Sequence, residues 1–137
     1  MTNTPVKSKN EFLSSVLGTK FRTVSGRRIS EVGRSWPGQK KITIITAWNP
    51  NFKKASATQN KLSNAKLKKI LENNEKKFQI IHAWWPNGSA FEESFAVENM
   101  THGEARGLCR KFEQGGYFWA NVRGRIRLVL GEARNLI

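Results

Sequence analysis

Residues 41–48 read Lys-Ile-Thr-Ile-Ile-Thr-Ala-Trp, and both alternating sets, Ile42, Ile44, Thr46, Trp48 and Thr43, Ile45, Ala47, are mostly apolar. Successive side chains of a strand point to opposite faces. A strand that is apolar on both faces needs cover on both, which places it centrally in a layered domain. Asn49-Pro50 ends the run, because proline has no N–H to give a ladder.

The flanking sequence supplies that cover. Ser56 and Gln59 have capping-box spacing and open a helix over residues 57–74. At 100° per residue, Asn60, Ser63, Asn64, Leu67, Ile70 and Leu71 share its inward stripe, while Lys61, Lys66, Lys68 and Lys69 fall on the sides and back. The stripe is thus polar at its start and apolar at its end, unusual for a plain core helix. Residues 78–85 and 91–97 read as strands joined through the Pro86-Asn87-Gly88 turn. Thr101 and Glu104 form a second capping box. It opens a helix with Ala105, Leu108, Cys109 and Phe112 on one stripe, with Gly115-Gly116 as the expected stop. Residues 117–122 and 125–130 predict a hairpin around Arg123-Gly124, and residues 21–24 and 27–32 another around Ser25-Gly26. A short helix capped by Asn10, with Phe12, Leu13, Val16 and Leu17 on one stripe, would end at Gly18.

The expected fold class is α+β: a single mixed, mainly antiparallel sheet with two main helices packed on it. A chain of 137 residues fits one domain, 1–137, with residues 1–10 a flexible lead-in. The single cysteine, Cys109, rules out an internal disulfide framework. No apolar run reaches the length of a membrane span and the N-terminus lacks a signal-peptide segment, so a cytoplasmic, non-membrane protein is expected.

Charge narrows the function classes. Lys and Arg number 24 against 10 acidic residues, a formal net charge of +14, and every acidic residue is Glu. Without Asp, Ser-His-Asp chemistry is excluded. His82, His102 and Cys109 form no ligand-spaced cluster, so no metal and no cofactor is expected. Self-repulsion at +14 makes an anionic partner an economical explanation. Residues 1–41 carry nine Lys/Arg, residues 53–77 eight and residues 106–137 seven; residues 78–104 carry none.

Two constellations follow. In the first, Lys53, Lys54, Lys61, Lys66, Lys68 and Lys69, with Arg123, Arg125 and Arg127, would grip nucleic-acid phosphates. Tyr117, Trp119, Trp36 and Phe52 are candidate stacking rings if exposed, core residues if not. In the second, Thr46, Asn49, Asn60, Glu92, Ser94 and Gln114 would share a polar pocket where a strand ends and a helix begins. Glu92 is its candidate catalytic acid or base, and the alternative role is a structural hydrogen-bond network. His82 is expected as a satisfied histidine on a half-buried strand, His102 as exposed, and Cys109 as an inert core thiol.

Thr46-Ala47-Trp48-Asn49-Pro50, Asn60, Leu67, Glu92-Glu93-Ser94-Phe95 and Phe112-Glu113-Gln114 together resemble the bacterial family known as domain of unknown function 3293, over about residues 41–120. The resemblance implies a shared α/β fold and a shared polar site, and no activity. Glu113 stands where that family usually has Gly, and the strong positive charge is not part of its pattern.

The leading expectation is therefore a basic nucleic-acid-binding accessory protein, bacterial or phage, that grips RNA or DNA phosphates. The alternatives are a small enzyme of unknown reaction using Glu92, Asn49, Asn60 and Gln114, and an inhibitor docking its basic face on an acidic protein.

Overall fold

The structure is a computed structural model that describes residues 16–50 and 53–131. Seven strands run β1 Lys20–Thr23, β2 Arg28–Glu31, β3 Ile42–Ile45, β4 Phe78–Trp84, β5 Phe91–Glu98, β6 Gly116–Ala120 and β7 Arg127–Leu130. Two helices, α1 Ala57–Asn73 and α2 His102–Lys111, interrupt them. The strands form one sheet in the order β2-β1-β4-β5-β3-β6-β7, and every pairing is antiparallel. The fold is α+β as expected, with no parallel pair among the described strands. The expected N-terminal helix lies outside the described residues apart from Val16 and Leu17, as does the lead-in over residues 1–10. No helix among the described residues is long and apolar enough to cross a membrane.

β3 is buried at all four positions, and its two faces feed different cores. Ile45 joins Leu67 and Leu71 of α1, Ala105 and Cys109 of α2, and Phe95, Val97 and Tyr117 of the sheet. Ile42 and Ile44 join Phe21, Trp36, Ile81, Ala96 and Ile126 on the other face, where no described helix packs. That face is covered by the sheet curling on itself. Phe21 of β1 meets Phe118 of β6 edge-on at 5.3 Å, although three strands lie between them. The segment after β2 also bonds the segment before β7: Gly33 N donates to Ile126 O, and Ile126 N to Arg34 O. The sheet is a nearly closed barrel with two open mouths and with both helices on its outer face.

Both capping boxes form as the sequence implies, Ser56 with Gln59 and Thr101 with Glu104. The stop of α2 differs from expectation. α2 does not run on to Gly115-Gly116. It ends at Lys111, and Gln114 N bonds back to Cys109 O at 2.8 Å across Glu113, whose φ is +55°. This is a Schellman ending with glutamate in the left-handed position that glycine adopts without strain. Gly116 instead serves β6, where a Cβ would lie 2.5 Å from Val129 O on the neighbouring strand. The glutamate thus preserves the turn that a glycine would make. Replacing Glu113 by Gly relieves a left-handed conformation worth roughly 1 kcal/mol and should raise the melting temperature by about 3 °C. Thermal unfolding of Glu113→Gly checks this, and an unchanged or lower midpoint would contradict it.

Candidate functional site

β3 leaves the sheet after Ile45, three residues earlier than its apolar alternation extends. The cause is the polar start of α1. Asn64 Oδ1 accepts Ala47 N at 2.8 Å, and Asn60 Oδ1 accepts Asn49 N at 2.7 Å. Two asparagines four residues apart lie on one side of a helix, so α1 offers amide groups where a strand would offer its ladder. Asn64 Nδ2 donates to Glu93 O at 2.8 Å and Glu93 Oε1 at 3.1 Å, tying the same turn of helix to β5. Asn49 has a left-handed φ of +50°, and its Oδ1 accepts both Ala55 N and Asn60 Nδ2. Asn60 and Asn64 are buried, at 3% and 1% exposure, and their amide groups are spent on these contacts.

The bent exit of β3 opens one barrel mouth into a cleft of about 510 Å³. Thr46, Glu92 and Ser94 line its sheet side, with Asn49 and Gln114 from the flanking turns. Thr46 Oγ1 donates to Glu93 O at 2.6 Å and accepts Trp48 N, and Ser94 Oγ donates to Glu92 O. Asn49 Nδ2 approaches Glu92 Oε2 at 3.3 Å. Gln114 Nε2 donates to Trp48 O at 3.1 Å and to Phe112 O, so this amide ties the end of α2 to the strand exit. Trp48 and Trp85 add aromatic walls, Trp85 being 43% exposed, and the exposed Lys53 and Lys54 stand at the rim.

Of the six pocket candidates named from the sequence, Thr46, Asn49, Glu92, Ser94 and Gln114 line the cleft, and Asn60 sits behind Asn49 as its support. Sequence reasoning passed over Asn64 and Glu93, which anchor the cleft wall, and Trp85, which faces the opening. The polar start of the α1 stripe was the signal for Asn64. Trp85 closes the strand expected over residues 78–85, where the period-two pattern gives no sign of a cleft.

A family model described as a protein of unknown function, DUF3293, matches residues 45–116, just over half of the chain. The chain belongs to the DUF3293 family. No curated protein and no solved structure matches it. The DUF3293 match starts at Ile45, where β3 bends, and ends at Gly116, beside Gln114. All six pocket candidates lie inside it, whereas Arg123, Arg125 and Arg127 lie beyond.

The basic candidates of this DUF3293 chain fall into separate groups. Lys61, Lys66 and Lys69 are exposed along α1, with Lys68 half-buried. α1 packs on β5 and α2 on β3 and β6, so α2 stands between those lysines and the β6–β7 hairpin. Arg123 bonds Gln39 at the hairpin turn, Arg125 bridges to Ser35, and Arg127 lies 5.3 Å over the Trp119 ring. Three ion pairs among the described residues, Arg28–Glu31, Lys40–Glu98 and Lys76–Glu104, use other cations. Tyr117 and Trp36 are buried, and Phe52 lies outside the described residues.

His102 is half-buried rather than exposed, because Nδ1 lies 2.6 Å from the Tyr117 hydroxyl and the ring packs on Trp119. Desolvation first, then the charges of Arg106, Arg127 and Lys41, hold its pKa below the usual histidine range. His82 stacks on Phe91 at 4.0 Å, and desolvation lowers its pKa against the pull of Glu93. Burial pushes the Cys109 thiol up to about 12, which leaves it un-ionised and unreactive. Among the described residues no group of three or more His, Cys, Asp or Glu is placed to hold a metal.

Proposed function

We propose that this protein binds nucleic acid, seating an unpaired base in the cleft and the adjoining phosphates on Lys53 and Lys54. The observation that carries the reading is the composition of one opening. Trp48 and Trp85 line it with aromatic rings, Glu92, Asn49 and Gln114 line it with polar side chains, and two lysines stand at the rim. Base–aromatic stacking beside cationic backbone contacts is how single strands are held without base-pair reading. The net charge of +14 adds long-range attraction for the same partner.

The test is a salt-titrated binding assay with RNA, single-stranded DNA and duplex DNA of one length. Single strands should bind more tightly than duplex. The logarithm of affinity should fall linearly with the logarithm of salt, by about 0.7 per phosphate neutralised. Affinity indifferent to salt, or no binding at low salt, sinks the reading.

One contact favours a second reading. Glu92 is half-buried and meets the Asn49 amide, a placement suited to a general acid or base acting on a cleft-bound substrate. On that reading Glu92→Gln abolishes turnover while binding and melting temperature hold.

A further inference from the structure

The opposite mouth of the barrel holds a second cavity, of about 490 Å³, which the reading above does not use. It lies at the far end of the same strands, between the turn of the β1–β2 hairpin, the loop before β3, the start of β4 and the end of β5. Its floor is apolar: Ile29, Trp36, Ile42 and Ala96 belong to the core on that face of the sheet, with the buried Trp36 ring tilted at 59° to Phe21. Its wall is cationic. Arg27, Arg28, Lys40 and Lys77 line it, against the single carboxylate of Glu98. Lys40 Nζ engages Glu98 Oε2 at 3.2 Å, and Arg28 pairs with Glu31. Arg27 and Lys77 have no ion-pair partner among the described residues.

Two of these four cations are paired, Lys40 with Glu98 and Arg28 with Glu31, which leaves the positive charges of Arg27 and Lys77 uncompensated among the described residues. Lysine and arginine side chains otherwise extend into water and away from each other. The geometry points to a binding site for a small phosphate-bearing molecule with a compact apolar body. Arg27 and Lys77 would take the anionic group, and the Trp36–Ile42 floor the body. The volume lies within the range of small-molecule sites, and guanidinium groups match phosphate oxygens bidentately. Binding here sets negative charge beside Arg27 and Lys77 and covers what water still reaches of Ile29 and Trp36. A phosphate with no apolar body, or an apolar body with no charge, meets half of the site.

The chosen probe is phenyl phosphate, titrated by calorimetry into the full chain, with inorganic phosphate and phenol as partial ligands. Phenyl phosphate should bind at least tenfold more tightly than either. The Arg27→Ala/Lys77→Ala double variant should lose at least tenfold in that affinity. Both side chains are exposed, so its melting temperature should stay within a few degrees of the parent. Lys61→Ala/Lys69→Ala, which removes equal charge from the outer face of α1, should bind the probe as the parent does. Equal affinity for phosphate and phenyl phosphate overturns the proposal, and so does an equal loss in both double variants, which would mark a diffuse charge effect. The source is separated by adding a 5′-phosphorylated oligonucleotide and its unphosphorylated twin. Competition by the phosphorylated strand alone assigns the site to a nucleic-acid end, and competition by neither assigns it to a free metabolite. Oligonucleotide binding through the Trp85 cleft is scored separately, so either proposal fails without the other.

Discussion

Replacing Asn64 by Ala should destabilise the protein by about 3 kcal/mol, the largest effect expected of any single polar truncation among the described residues. Asn64 is 1% exposed and serves two elements at once. Its Oδ1 is the partner of Ala47 N, and its Nδ2 reaches both Glu93 O and Glu93 Oε1. Alanine would leave the buried Ala47 N–H without its partner, at about 1–3 kcal/mol when water cannot replace the amide, and would take one of two donors from Glu93 O, which keeps Thr46 Oγ1. A small void would add to that between α1 and the sheet. Asn60→Ala should cost less, because Asn49 N, its chief dependent, lies at the partly open cleft wall. Urea denaturation of the two variants beside the parent gives the comparison, with similar slopes if unfolding stays two-state. A loss below about 1 kcal/mol for Asn64→Ala would mean that the strand exit is held by something other than this amide.

That asparagine also marks where sequence reasoning stops short. The alternation over residues 41–48 implies an interior strand covered on both faces, and β3 lies between β5 and β6 and is buried throughout. It also implied that the strand ran on to Trp48. Periodicity reports which faces are apolar and is silent on where a ladder ends. The end was decided by Asn60 and Asn64, which lie on a helix 11 or more residues away in sequence. The two capping boxes were legible because their partners are three residues apart. The stop of α2 was not, because Glu113 adopts a conformation whose usual mark is glycine. A place just after a cap implies an exposed His102, yet the ring is half-buried. The Tyr117 hydroxyl that half-buries it belongs to β6, and no local pattern reports that pairing. Five of the six pocket candidates share the cleft because the end of β3 and the start of β5 meet the turns before α1 and after α2 there. The curl that brings β1 against β6 and creates two mouths has no counterpart in the period-two signal.

If the cleft seats a base, substitutions at its walls and at its rim should change binding in different ways. Trp85→Ala should weaken single-strand affinity about ten- to a hundredfold, the effect of losing one stacked base, while the salt slope stays as in the parent. Trp85 is 43% exposed at the opening, so the variant should keep its melting temperature within a few degrees. Lys53→Ala/Lys54→Ala should also weaken binding, but by reducing the salt slope by about 1.4, the contribution of two phosphates to a single strand. At high salt the double variant and the parent should therefore converge, whereas Trp85→Ala should stay weaker at every salt concentration. The contrast follows from the physics: stacking survives screening, and counterion release does not. Parallel losses with a common slope change would place the strand on the general positive field of the surface and leave the cleft without a base. An unaltered slope in the lysine variant would move the phosphates elsewhere, with Lys61, Lys66 and Lys69 on the outer face of α1 the next set to remove.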